Sequence, residues 1–381
     1  MLKIALVTNE PPPYRVPIFN RLAAMPDIQL DVIFFTKREP NRHWNLPPME
    51  FRHHYLRERF ITIRGRYIHN NPDIFGVLKH LAPQVIVSDG LNPSNLYAFA
   101  YALTHGIPHV PLTDGTDISE AGLSRVHKFI RTMVYRRSKA FLYASSGGLR
   151  LYQSYGVHEN NCFRSHLCVD NEAYHRPSLA DDRRFDFIFC GRMVKEKNPL
   201  FALQVAEFTA RTLGRKTSIL YVGSGPEDEA IRNAAQESDC VHAYFHGFAA
   251  QEELPALYRS AKVFLFPTMG DVWGIVANEA CAAGLPIIVS PHAGANGELI
   301  IDGRNGFIRP LQAQAWADHA ASLLNDPVLW GRFSACSSEL VKDYNFNSAA
   351  EGIVAACHHA ASPRKRFSSN FRRHSRDARS V

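Results

Sequence analysis

The chain has 381 residues, 46% hydrophobic and 21% charged, an ordinary globular composition that excludes a disordered body and suffices for two domains. Its net charge of +7 does not imply a nucleic-acid surface, because residues 362–381, "SPRKRFSSNFRRHSRDARSV", hold seven Arg or Lys against one Asp. The body is nearly neutral, and the charge belongs to an appended tail with the composition of a disordered segment.

No run is long and apolar enough to span a bilayer, and the opening "MLKIALVTNE" meets Glu10 rather than a signal core. Seven cysteines without a C-x-x-C pair argue for reduced thiols and against a zinc site. A cytoplasmic, metal-free protein is expected.

In chain order, "KIALVT", "LDVIFF", "QVIVSD", "PHVPLT" and "AFLYAS" read as buried parallel strands separated by helices and Pro/Gly/Asn loops, which predicts a doubly wound α/β domain over residues 1–165. The loop "NEPPPYRVP" after the first strand is stiffened by prolines and offers Glu10, Tyr14 and Arg15. "DGTD" follows "PHVPLT", and its Asp114 or Asp117 would orient or deprotonate a hydroxyl, or close an Asx-turn. "RVHKFIRTMVYRRSKAF" spaces Val126, Phe129, Ile130, Met133 and Val134 as a helix face, with Arg125, Lys128, Arg136, Arg137 and Lys139 around it. That face suits core packing, with an anionic membrane as the rival partner. The basic, aromatic "FRHHYLRERFITIRGRY" before it is a candidate rim for the acceptor side.

Residues 166–184, polar and broken by Pro177, read as a linker. Alternation then restarts with "FDFIFC", "TSILYVG", "VHAYFHG", "KVFLFP" and "PIIVS", predicting a second α/β domain over 185–345, a last helix over 346–361 that packs back on the first domain, and the tail. Two such domains face each other across a cleft at the carboxyl ends of their strands.

The second domain opens on a strand that turns at Gly191 and presents Arg192 and Lys197 before a helix beginning near Pro199, a pair of cations that suits a diphosphate. "LYVGSGPEDEA" lacks the third glycine of a dinucleotide fingerprint, leaving Gly223 as part of a tight turn. Gly247 and Thr268 end strands on the same cleft edge, and Glu298 reads as the start of a short helix. In "GDVWGIVANEACAAGLP", residues 270–286, a helix of small residues stops at Gly284 and carries Asp271 at its mouth and Glu279 eight positions on. Taken alone, these acids read as a cap and a solvated residue, or as ligand contacts.

The ordered series "GRMVKEKN", "VGSGPE", "HGF", "DVWGIVANEACAAGLP" and "GELIIDGRNGF" resembles the nucleotide-sugar half of retaining glycosyltransferases of family 4, which have the GT-B fold. The resemblance implies that Arg192 and Lys197 hold the donor diphosphate without a metal, that Glu279 takes the ribose hydroxyls, and that Asp271 with the backbone from Trp273 and Gly274 through Ile275 and Val276 takes the sugar. Gly191, Gly223, Gly247 and Thr268 complete the implied donor site. The family's usual acid at position 271 is Glu, so the shorter Asp271 bears on sugar preference. The catalytic set is then Arg192, Lys197, Asp271 and Asp114, with Glu10, Tyr14, Arg15 and Asp117 on the acceptor side.

The implied activity is hexosyl transfer from a UDP- or GDP-type sugar to a saccharide or lipid-linked saccharide of the cell surface, by front-face attack with retention. A GT-B epimerase or phosphorylase, or a non-catalytic nucleotide-sugar binder, stays open as an alternative. No nucleic-acid partner is expected, an anionic membrane surface is a candidate partner, and the sequence assigns no oligomeric state.

Overall fold

The computed structural model describes residues 1–40, 45–63, 66–175 and 183–362. The tail expected beyond Ser362 and part of the expected linker, residues 176–182, lie outside the described residues.

The first domain runs β1 (Leu2–Thr8), α1 (Val16–Ala23), β2 (Ile28–Phe34), β3 (Arg52–Tyr55), β4 (Phe60–Ile63), β5 (Arg66–His69), α2 (Ile74–Leu81), β6 (Val85–Asp89), α3 (Pro93–Thr104), β7 (His109–Thr113), α4 (Arg125–Tyr135), β8 (Phe141–Tyr143), α5 (Ser146–Ser154) and β9 (Cys162–Arg164). Its parallel sheet has the order β3-β2-β1-β6-β7-β8-β9, and β4 and β5 form a separate antiparallel pair.

After α6 (Asn171–Tyr174), the second domain runs β10 (Phe185–Cys190), α7 (Pro199–Leu213), β11 (Thr217–Val222), α8 (Asp228–Gln236), β12 (Val241–Gly247), α9 (Leu254–Arg259), β13 (Ala261–Phe266), α10 (Ile275–Ala282), β14 (Ile287–Val289), β15 (Gly306–Ile308), α11 (Ala313–Asn325), α12 (Pro327–Leu340) and α13 (Phe346–Ala361). Its sheet is parallel throughout, in the order β12-β11-β10-β13-β14-β15.

The central strands are mostly apolar because helices cover both faces of each sheet; all six residues of β10 are buried, Asp186 among them with Arg215 as its partner. At the edge, β12 alternates instead, and only Val241 of its seven residues is buried. Pro199 starts α7 at the position where a helix needs no N–H donor.

The two domains share one core. The described part of the expected polar linker is not a solvated strap, because Leu167, Cys168, Val169 and Tyr174 are buried in a cluster that continues into both sheets. From there α13 crosses to the first domain and packs on α1 and β9. Close approach requires its small residues: a Cβ on Gly352 would stand 1.7 Å from the Arg164 carbonyl. Glu298, expected to start a helix, lies in a run of turns instead. Its carboxylate accepts the Ser146 N–H at 2.8 Å and pairs with Arg164, so contact between the domains decides its conformation.

Candidate functional site

In each sheet the chain winds outward in both directions from a central pair of strands, β1 and β6 in the first domain and β10 and β13 in the second. Loops leaving such a pair diverge to opposite faces and open a crevice at the carboxyl ends. The loop after β10 carries Arg192 and Lys197, and the loop after β13 carries Asp271 and Gly274.

A cavity of about 270 Å³ lies at this point, with Gly191, Arg192, Lys197, Asp271, Gly274 and Ile275 in its wall. Trp273 and Val276 also line it, as do Leu167, Cys190, Phe266 and Val272. Tyr14 of the first domain joins them, so this expected acceptor-side residue stands against the second domain's pocket.

Lys197 Nζ and Asp271 Oδ2 are 2.5 Å apart, and each side chain is about one-fifth exposed. Asp271 is not the cap of the following helix. Gly274 is the N-cap, at φ 91°, and no side chain caps it. A Cβ at Gly274 would stand 2.6 Å from the Phe266 ring, so only glycine lets the chain turn there. Asp271 Oδ1 accepts the Trp273 N–H at 3.3 Å, which fixes the carboxylate over the loop. The first turn of α10 faces the cavity with donors that lack intrahelical acceptors. Arg192 is exposed at the rim and makes no ion pair among the described residues. One spare cation, one displaceable cation and a helix N-terminus make an anion site.

Four expected donor contacts stand behind this wall rather than in it. Gly223 donates to the Gly247 carbonyl at 2.7 Å, and a Cβ on Gly223 would lie 1.9 Å from the Gly191 carbonyl oxygen. The glycines therefore let backbone approach backbone, bracing the Arg192 loop. Thr268 is fully buried, and its hydroxyl donates toward the Glu196 and Gly270 carbonyls at 3.2 and 3.0 Å. Glu279 is 5% exposed, with Tyr258 Oη donating to it at 2.8 Å. Burial pushes its carboxyl up to about 7, against the pull of the hydrogen bond from Tyr258. It is therefore neither the solvated helix residue of the simpler expectation nor a group in the cavity wall.

The first domain gathers a different set. Arg15, 2% exposed, reaches Asp114 Oδ1 at 2.5 Å and the Ser165 carbonyl at 3.4 Å, while its buried Nε has no partner. Burial works against the Arg15 charge, but Asp114 and Asp89 outweigh it and hold the guanidinium above its ordinary pKa. Asp89 ends β6 and accepts from Thr8 Oγ1 at 3.0 Å. Burial and then Asp114 push its carboxyl up to about 6, against Arg15 and Thr8. Two carboxyls thus share one cation. Sequence reasoning missed Asp89 and Thr8, although both end strands of the predicted sheet.

Asp117 is not part of this group; it pairs with Arg150 at 2.9 Å, whose hydrogen bond lowers the Asp117 pKa. The turn at Asp114 is closed by Thr113 Oγ1 accepting the Gly115 N–H at 3.0 Å, so Asp114 is left to Arg15. Glu10 is buried and accepts the Glu39 N–H at 2.7 Å. Among the described residues no group of three or more His, Cys, Asp or Glu is placed to hold a metal ion.

Residues 170–338, which run from before β10 into α12 and carry both cations of the cavity wall, match the family described as Glycosyl transferases group 1. This segment belongs to that family. The D-inositol 3-phosphate glycosyltransferase of Arthrobacter sp. (strain FB24) is 28% identical over 185 residues, covering 47% of this chain and 43% of the relative. The match thus spans less than half the length of that curated relative. Two solved structures have the same fold across nearly the whole chain. Anabaena HepE in complex with UDP aligns with a TM-score of 0.72 at 14% identity, covering 94% of this chain and all of that one. Sucrose-phosphate synthase from Thermosynechococcus elongatus aligns at 0.68 and 16%, covering 95% and 100%. The chain has the GT-B fold, with the group 1 segment as its second domain.

Proposed function

We propose that this chain transfers a sugar from a nucleoside-diphosphate donor to a saccharide or lipid-linked saccharide, with retention of configuration. The observation that carries this reading is the cavity at the β10/β13 divide, where Arg192 and Lys197 face the N-terminus of α10 and Asp271. UDP, which HepE holds in its crystal, is the first nucleotide to test.

In this reading the diphosphate displaces Asp271 from Lys197 and takes Arg192 as its second cation. Both positive groups stabilise charge that grows on the leaving oxygen as its bond to the anomeric carbon breaks. Asp271, released, accepts from hydroxyls of the sugar. The acceptor oxygen forms the new bond on the same face, and its proton leaves with the diphosphate. Asp114, held by Arg15, positions the acceptor hydroxyl. A direct ribose contact by Glu279 requires its carboxylate to leave Tyr258. The membrane enters as the surface that carries a lipid-linked acceptor. No helix among the described residues is long and apolar enough to cross one.

The test is nucleoside diphosphate release from a panel of UDP- and GDP-sugars, with and without saccharide and lipid-linked acceptors. Acceptor-dependent release supports transfer. Donor binding without release in any combination makes the chain a nucleotide-sugar binder, and sugar conversion without an acceptor makes it an epimerase.

A further inference from the structure

Sequence periodicity favours burial for one face of α4, and the structure places half of that face in solvent. Val126 is 66% exposed and Phe129 69%, with Ile118, 78% exposed, in the turns just before the helix. Only the far end is anchored, where Val134 and Tyr135 are buried. Val126, Phe129 and the half-buried Met133 are spaced three and four residues apart, so they form one stripe along the helix.

The charges around the stripe are of one sign. Arg125, Lys128, Arg136 and Arg137 are exposed and make no ion pair among the described residues. The two nearby acids are already neutralised: Glu120 pairs with Arg131 at 2.5 Å and Asp117 with Arg150 at 2.9 Å. An apolar stripe flanked by unpaired cations matches a leaflet that presents negative headgroups over hydrocarbon. A second copy of this face would bring like charges together.

We propose that the first turns of α4, with Ile118, are a docking surface for an anionic lipid bilayer. The stripe enters the headgroup boundary while Arg125, Lys128 and Arg136 lie against phosphates. The loop that leads into α4 begins at Asp114, so docking there holds the first domain's cation-carboxyl group beside the leaflet in which a lipid-linked acceptor resides. This last step rests on the proposed function; the docking does not.

The full chain is mixed with phosphatidylcholine vesicles with and without phosphatidylglycerol, at low and high salt, and the bound fraction is read by sedimentation. Binding is expected only with phosphatidylglycerol and to weaken as salt rises. Replacing both Arg125 and Lys128 by Ser lowers the partition coefficient about 30-fold, at roughly fivefold per cation. Phe129→Ser lowers it on the order of tenfold, and Val328→Ser, an exposed apolar residue of the other domain, leaves it unchanged.

Wild-type binding in the helix variants would overturn the proposal and assign attachment to residues 362–381. A dimer that dissociates on Phe129→Ser would overturn it in favour of self-association. UDP titration of each variant runs alongside: failure of the wild type to bind UDP counts against the proposed function and leaves the vesicle result standing.

Discussion

The two domains solve the same topological problem with opposite charge balances. At each divergence of strands a basic residue from the first loop reaches an acid from a loop across the sheet: Arg15 to Asp114 in the first domain, Lys197 to Asp271 in the second. In the first pair the cation is buried, Arg15 being 2% exposed against 28% for Asp114, and a second carboxyl, Asp89, interacts with the same cation. The second is partly open, has Arg192 to spare, and stands at a helix N-terminus. A buried cation that faces two acids already has its charge balanced. An open pair beside an unpaired cation can exchange its acid for a phosphate, so under the proposed function one edge takes the anion and the other the acceptor hydroxyl.

The largest effect that would break this comparison is on the buried side. Arg15→Met keeps the bulk but leaves Asp114 and Asp89 facing each other without a cation, which costs about 3–5 kcal/mol. Chemical denaturation should show it as a large drop in midpoint. A loss under about 1 kcal/mol, the range of exposed pairs, would mean that the cluster is solvated.

On the open side the effect falls on turnover rather than folding. Arg192→Ala and Lys197→Ala should each lower kcat by about 10²-fold, near the loss of one charge-assisted contact to a developing anion, with little change in melting temperature. Wild-type turnover in either variant would remove the diphosphate from this wall.

A smaller effect tests the proton on Asp89. Asp89 has its pKa raised from 3.8 to about 6, so its contribution to stability is full below pH 3.8 and is lost as pH rises through about 6. Asp89→Asn has no such loss. The stability of wild type relative to the variant should therefore fall between pH 4 and pH 7, by about 2 kcal/mol. Parallel pH curves for the two proteins would show that Asp89 is ionised throughout.

The smallest expected change separates the two acids near α10. Asp271→Asn should weaken a sugar-bearing donor several-fold without weakening free UDP, which then has no ion pair to displace at Lys197. Glu279→Gln should change neither affinity much if the carboxyl stays on Tyr258 in the complex. Calorimetry with UDP and with the nucleotide sugar measures both. Equal loss of both ligands in Glu279→Gln would return Glu279 to the ribose.

Much of this molecule was legible from its residues alone. The apolar runs from "KIALVT" to "PIIVS" coincide with the central strands β1, β2, β6, β7, β8, β10, β11, β13 and β14, because a strand covered on both faces is apolar at most of its positions. Arg192, Lys197 and Asp271 were legible because their distances from strand ends are fixed in the chain, and the topology delivers strand ends to one edge. Short strands such as β3, β9 and β15, and the β4–β5 pair, were not, since their few residues carry little pattern.

Only the tertiary structure decided what each side chain faces. Periodicity places Val126 and Phe129 on one stripe of α4, but whether a stripe is covered depends on how far the helix overhangs its sheet, a distance that no local spacing encodes. Likewise the sequence puts Glu279 in the second turn of a helix, while its burial against Tyr258 is set by how α6 and α9 pack against α10. The same holds for Asp89, whose proton depends on Arg15 and Asp114, groups 74 and 25 residues away in the chain that meet only when the first sheet closes. Local sequence fixes which atoms are present and their spacing along an element. Burial and charge coupling arise between elements, through desolvation and distance, and those exist only in the folded chain.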